Sequence, residues 1–255
     1  MAKSKRRLFY DVFRPTLESL GFHYHKKGLF YKYNDDQRWF LGINLVSTSM
    51  GDAFDINISC LPYTTGKLNL NDLLEASPFT MRRITNMVDW DAPSKATFEQ
   101  CLYWFNKLLF PRISGLSTLE DAVNLSVWIK KCSLLDFTFG LSGKYLLPEI
   151  YAYASIGKYR EAYSLTDYYV MGCEYALNVA KKNIETSMKY NLYDAESHRA
   201  QLCSCEKELA YAQLMSSELR TGKCALITPA VNRLVKEMQS SIAQYLVGTI
   251  DMEAH

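Results

Sequence analysis

The sequence lacks most of the features that would place it in a function class at a glance. No stretch approaches 18 continuous apolar residues, so no membrane-spanning helix is expected. The formal net charge is only +2, far from the basic excess that marks a dedicated nucleic-acid binder. Glycine-rich phosphate loops, G-x-S-x-G, HExxH and paired CxxC spacings are absent, which removes the usual sequence grounds for nucleotide, serine-hydrolase and zinc chemistry. The seven cysteines (Cys60, Cys101, Cys132, Cys173, Cys203, Cys205, Cys224) are odd in number and irregularly spaced, and Asp11 and Arg14 interrupt the first apolar stretch. Reduced thiols in a cytoplasmic protein are therefore expected.

What is present is enough for a sizeable core: 255 residues, 48% apolar and 13% aromatic. The small positive excess is N-terminal, with 9 Lys and Arg against 4 Asp and Glu in residues 1–38. Much of it is Lys3, Lys5, Arg6 and Arg7, which read as a solvated end.

Leu8, Phe9, Val12, Phe13, Leu17 and Leu20 share one helical face, so a helix is expected from Lys5 to Leu20, bent or divided at Pro15 and stopped by Gly21. Three strands follow, at Gly28 to Tyr33, Gln37 to Val46 and Ala53 to Cys60. In the third, Phe54, Ile56, Ile58 and Cys60 alternate with Asp55, Asn57 and Ser59. That alternation implies one dry face and one wet face, hence a three-stranded antiparallel meander covered on one side by the first helix. Leu68 to Val88 reads as a short helical stretch broken by Pro78. Phe98, Leu102, Phe105 and Leu109 mark a helix from Ser94, its N-cap, to Phe110, ended by Pro111. Ser117 and Glu120 are the expected capping pair of the next helix, which runs to about Lys131.

From Leu146 onward the pattern is helical. The segment AYASIGKYREAYSL, with Gly157, Tyr159 and Ala162, has the rhythm of a tetratricopeptide-like joint, but it occurs once, so a single αα-hairpin is the better reading. Two further helices carry the stripes Leu202, Cys205, Leu209, Ala212, Met215 and Val231, Val235, Met238, Ile242, Tyr245. An intramolecular hairpin seam is preferred for them over a dimer interface. The expected fold is thus α+β: an N-terminal helix on a three-stranded antiparallel sheet over residues 1–115, then a mainly helical region of hairpins or a bundle over 116–255.

Few residues point to chemistry. An extended chain would direct His23 and His25 to the same side, as a metal pair requires, but the only other histidines are His198 and His255, so the pair reads as solvated beside Lys26 and Lys27. A helix followed by three strands invites comparison with metal-dependent restriction-like nucleases, whose third strand carries acid-x-Lys. Here it carries Asp55-Ile56-Asn57, without the lysine. Cys203 and Cys205 diverge on a helix and read as packing.

The run from Arg14 to Tyr63 resembles a bacterial family known as domain of unknown function forty-three-oh-four. The resemblance rests on Leu17, Leu20, Gly21, Phe22, Phe30, Tyr31, Ile43, Asn44, Leu45, Phe54, Ile56, Asn57 and Ile58, and covers about the first 65 residues. It implies a small α+β module of bacterial origin with no catalytic residues to carry over, and His23 and His25 standing where the family is basic. Kinship also implies an immunity or defence role.

The functional expectation is a non-enzymatic cytoplasmic module that binds another protein through the wet sheet face, using Asn44, Asp55, Asn57 and Ser59, with Trp39 near its edge. A homodimer through the C-terminal helices is a further arrangement. No cofactor, metal ligand or membrane partner is assigned. The alternatives are a metal-dependent nuclease or nucleotide-acting enzyme using Asp36, Asp52 and Asp55, and a nucleic-acid binder using Lys3 to Arg7, Lys26 and Lys27.

Overall fold

The Ser4 hydroxyl accepts the Arg7 N–H at 3.3 Å and so caps the first helix, α1 (Lys5–Ser19), satisfying one of its free amides. Phe9, Phe13 and Leu17, four residues apart, form its buried stripe, and the helix runs unbroken through Pro15, which lies on the exposed side. It stops where Gly21 takes φ +79°. Gly21 N–H bonds to Glu18 O and Phe22 N–H to Leu17 O, while Phe22 and Leu17 pack together in the core. The computed structural model describes residues 4–25, 28–47, 53–68, 81–85, 87–133, 143–190 and 195–247. The expected stretch from Leu68 to Val88 lies largely outside these residues; within it, α2 covers Met81–Ile84.

The chain forms two compact units, residues 1–133 with 233–255, and residues 134–232, against the boundary near 115 expected from sequence. In the first unit four antiparallel strands lie in sequential order: β1 (His23–His25), β2 (Leu29–Asn34), β3 (Trp39–Ser47) and β4 (Phe54–Pro62). The sheet therefore has one strand more than the sequence pattern indicated. Three residues are too few to show alternation, so His23–His25 carries no strand signal of its own. Register places Phe30, Ile43 and Ile58 in one row, with Leu41 beside Cys60 and Leu45 beside Ile56. This row joins Phe9, Phe13 and Leu17 of α1 and Phe98, Cys101 and Phe105 of α3 (Lys95–Leu108) in a single core.

Ser94 caps α3 by accepting the Thr97 N–H at 3.0 Å, as its position before the apolar run predicts. Pro111 sits in the first turn of α4 (Phe110–Ser114). The next helix, α5 (Leu119–Ser133), is capped one residue later than expected: Thr118 and Asp121 form the reciprocal box instead of Ser117 and Glu120. Asp121 N–H donates to Thr118 Oγ1 at 3.1 Å, and Asp121 Oδ2 accepts the Thr118 N–H at 2.9 Å. Ala122, Leu125 and Ile129 of α5 enter the core, and Cys60 Sγ reaches Ala122 O at 3.2 Å.

The second unit is helical: a 3-10 turn at Gly143–Leu146, α6 (Leu147–Ser155), α7 (Tyr159–Lys189) and α8 (Ala195–Arg220). The α6–α7 joint at Gly157 repeats the bonding of Gly21, with Gly157 N–H to Ala154 O and Lys158 N–H to Tyr153 O, as expected of one αα-hairpin. Buried Ala162, Leu165, Thr166, Tyr169 and Cys173 turn one side of α7 inward. Tyr169 donates to Glu208 at 3.3 Å and Thr166 to Ser216 at 3.1 Å, tying α7 to α8.

The last helix, α9 (Ile227–Ile242), has its expected stripe buried at Val231, Val235, Met238 and Ile242. From Arg233 onward, however, it belongs to the first unit, so the expected α8–α9 hairpin is not a unit of the fold. A Cβ on Gly66, just past β4, would come within 2.8 Å of Leu234, so the missing side chain is what allows this close approach.

Burial pushes the Asp121 carboxyl up, but hydrogen bonds from Thr118 and Ser117 outweigh it and hold the group below the usual carboxylate range. The ionised form thus stabilises the fold above the unfolded-state pKa, and that contribution is lost as pH falls through the folded-state value. Asp121→Asn is expected to lower the urea midpoint at pH 7, with the difference from wild type vanishing in strongly acidic buffer.

Candidate functional site

Four of the five residues expected on or beside a wet sheet face are inside the protein. Trp39 is 1% exposed, Asn44 and Asn57 are 0% and Asp55 is 9%, while Ser59 is half-buried. The alternation was real, but its second row is not solvent. On that face Leu29 pairs with Asn44 and Asn44 with Asn57, Tyr31 pairs with Gly42, and Phe40 with Leu61. Leu29, Tyr31, Phe40 and Val46 are all buried beside the amides. A Cβ on Gly42 would lie 3.1 Å from the Phe40 ring, so Phe40 folds across the sheet at that point. The signal was in the sequence: Phe40 and Val46 make β3 apolar on both faces, as in a strand covered on both sides. The exposed-face reading of Trp39, Asn44, Asp55, Asn57 and Ser59 is corrected accordingly.

Each of these residues has a structural position. Asp55 Oδ1 accepts the Ile56 N–H at 2.7 Å and the Arg82 N–H at 3.2 Å, so its carboxylate holds the start of β4 to α2. Asn44 is fully buried with neither side-chain polar atom bonded, and the Trp39 indole Nε1 is also without a partner. Of the acids considered for a nuclease arrangement, Asp36 and Asp55 are not brought together. Asp36 stands in the β2–β3 turn, beside the Trp39–Pro62 end, whereas Asp55 lies seven residues back along β4, about 23 Å away. Asp52, Lys26, Lys27 and Lys3 lie outside the described residues.

His23 and His25 are on β1, opposite Tyr31 and Leu29, so their rings do share one side of the strand. They pack around Tyr31, with ring centroids 5.7 and 6.5 Å away, so the pair belongs to an aromatic cluster at the sheet edge. Among the described residues no three His, Cys, Asp or Glu side chains converge as a metal set. Burial, helped by the charge of Asp55, pushes the Cys101 thiol up to about 12, which suits a packed thiol and not a nucleophile.

An open cleft of about 830 Å³ lies where the starts of α1 and α3 meet, lined by Ser4, Lys5, Asp89, Asp91, Ser94 and Thr97 among others. Its polar groups are engaged in local structure. Ser4 and Ser94 cap their helices, Asp91 is 3.4 Å from the Arg82 guanidinium, and Asp89 accepts the Asp91 N–H.

The surface that sequence reading missed is on α7. Tyr168, Met171, Tyr175 and Val179 fall on one side of this helix at steps of three, four and four, and are 38, 50, 38 and 37% exposed. The spacing is legible in the sequence. It is masked because the same helix carries a second stripe, Ala162, Leu165, Tyr169, Cys173 and Ala180, which faces inward.

The chain was compared with models of known families, with curated proteins and with solved structures. None matches it. Among the described residues no helix is long and apolar enough to cross a membrane.

Because Asn44 is buried without partners, replacing it by the similarly sized Leu removes a desolvation cost. Asn44→Leu is expected to stabilise the protein by about 1–3 kcal/mol in urea denaturation. Destabilisation would show that the amide is bonded.

Proposed function

We propose that this chain is a non-enzymatic protein-binding module that contacts its partner through the outer face of α7. The observation that carries this reading is the continuous exposed stripe Tyr168, Met171, Tyr175 and Val179. Single exposed apolar side chains are ordinary, whereas four in helical register match the way one helix docks on another or in a groove. The residue types fit as well. Tyrosine offers a large contact area at small entropic cost, and methionine adapts to an irregular partner. The charged side of the helix, with Asp167, Glu174 and Lys181, flanks the stripe as a polar rim.

A cytoplasmic setting accords with seven free cysteines, four of them buried. The bacterial immunity or defence role is part of the proposal on the strength of the resemblance between Leu17 and Ile58 alone.

Tagged wild-type protein, recovered from the cells that make it, is expected to bring down a stoichiometric protein that a folded Met171→Glu, Tyr175→Glu variant does not. That protein can be an untagged copy of the same chain or a different one. An identical set of companions for the two baits would overturn the reading.

A further inference from the structure

We propose that the partner on α7 is α7 of a second copy of this chain, packed antiparallel about a two-fold axis at Tyr175. The inference rests on the α7 surface proposed above and adds the identity of its occupant. It follows from the symmetry of the exposed face. Positions 161, 168, 175, 182 and 189 are seven apart, so they form one line along the helix, which is the geometry of a coiled-coil seam. All five are exposed.

An isologous contact needs a surface complementary to itself when reversed, and this line is. With Tyr175 on the axis, each residue faces the one equally far on the other side. Met171 then meets Val179, Tyr168 meets Lys182, and Glu161 meets Lys189. The centre is apolar, the next layer sets an ammonium against an aromatic ring, and the ends are ion pairs. The wider charge pattern agrees. From Tyr159 to Glu174 the helix has three acidic groups to one basic, and from Ala176 to Lys189 three basic to one acidic. Antiparallel pairing sets the acidic half against the basic half twice, whereas parallel pairing sets like against like. The span from 161 to 189 gives a contact about 42 Å long.

The test is sedimentation of the purified full-length protein across micromolar concentrations at low salt, with circular dichroism confirming that each variant is folded. Wild type is expected to dimerise reversibly, and Met171→Glu to weaken the dimer at least about tenfold, since it is lost from two symmetry-related positions at the centre. Glu161→Lys alone and Lys189→Glu alone are each expected to weaken it several-fold. The double variant Glu161→Lys, Lys189→Glu is expected to recover, as is an equimolar mixture of the two single variants. High salt should blunt the charge effects and spare that of Met171→Glu. A chain that stays monomeric, or a dimer indifferent to Met171→Glu or to the charge exchanges, would overturn the proposal. Binding of a different protein through the same stripe would leave the α7 surface standing while removing the second copy from it.

Discussion

The packing of aromatic rings between α1, the sheet and α3 is the constraint on which the first unit depends. Phe9 lies 4.8 Å from Phe13, 5.8 Å from Phe30 and 6.2 Å from Phe98 by ring centroids, so one side chain touches all three layers. Phe13 continues the contact to Phe105, and Phe98 to Phe54. Each such ring contributes about 1.5–3 kcal/mol over its exposed state, and together they set the position of both helices on one sheet face. The remaining features follow from this. The Phe22 contact that ends α1 belongs to the same core, and Ser94 must start α3 where Phe98 can reach Phe54.

With one face filled by rings, the polar residues of β3 and β4 are directed to the other. That face is also buried, so Asn44 and Asn57 sit opposite each other without solvent. A polar pair in such a place specifies strand register at a cost in stability: a slip of one residue would put the amides among the phenylalanines. Asp55 completes the same strand by a different route, accepting two backbone N–H groups at its start. These residues therefore organise the sheet, and the exposed apolar stripe proposed as the binding surface lies elsewhere, on α7.

Much of the α+β architecture was legible, for particular reasons. The strands β2 to β4 and the helices α1 and α3 fall within a residue or two of their expected limits, because long apolar periodicities and the Ser94 and Gly21 stop signals agree. The α5 cap was misplaced by one position, since Ser117-Thr118 offers two adjacent hydroxyls and only the Asp121 geometry chooses between them. The return of α9 to the first unit was invisible, because a buried stripe shows that a helix is covered but not by which part of the chain. The candidate site was the least legible part: alternation identifies two faces of a strand, and it takes the apolar residues of the neighbouring strands to show that both are covered. On α7 two apolar stripes share one helix, and only burial separates the inward one, with Ala162, Leu165, Tyr169 and Cys173, from the exposed one, with Tyr168, Met171, Tyr175 and Val179.

We propose that this protein acts on another through the outer face of α7. The most direct measurement is hydroxyl-radical footprinting of the native protein, reading oxidation of Met171 and Tyr175 by mass spectrometry in dilute and in concentrated solution, with exposed Leu214 on α8 as an internal reference. Both residues are expected to react readily when dilute and to become selectively protected as concentration rises, while Leu214 does not change. Equal reactivity at all concentrations would contradict self-association through this face, and Met171 and Tyr175 inert even in dilute solution would contradict the exposure on which the whole reading rests.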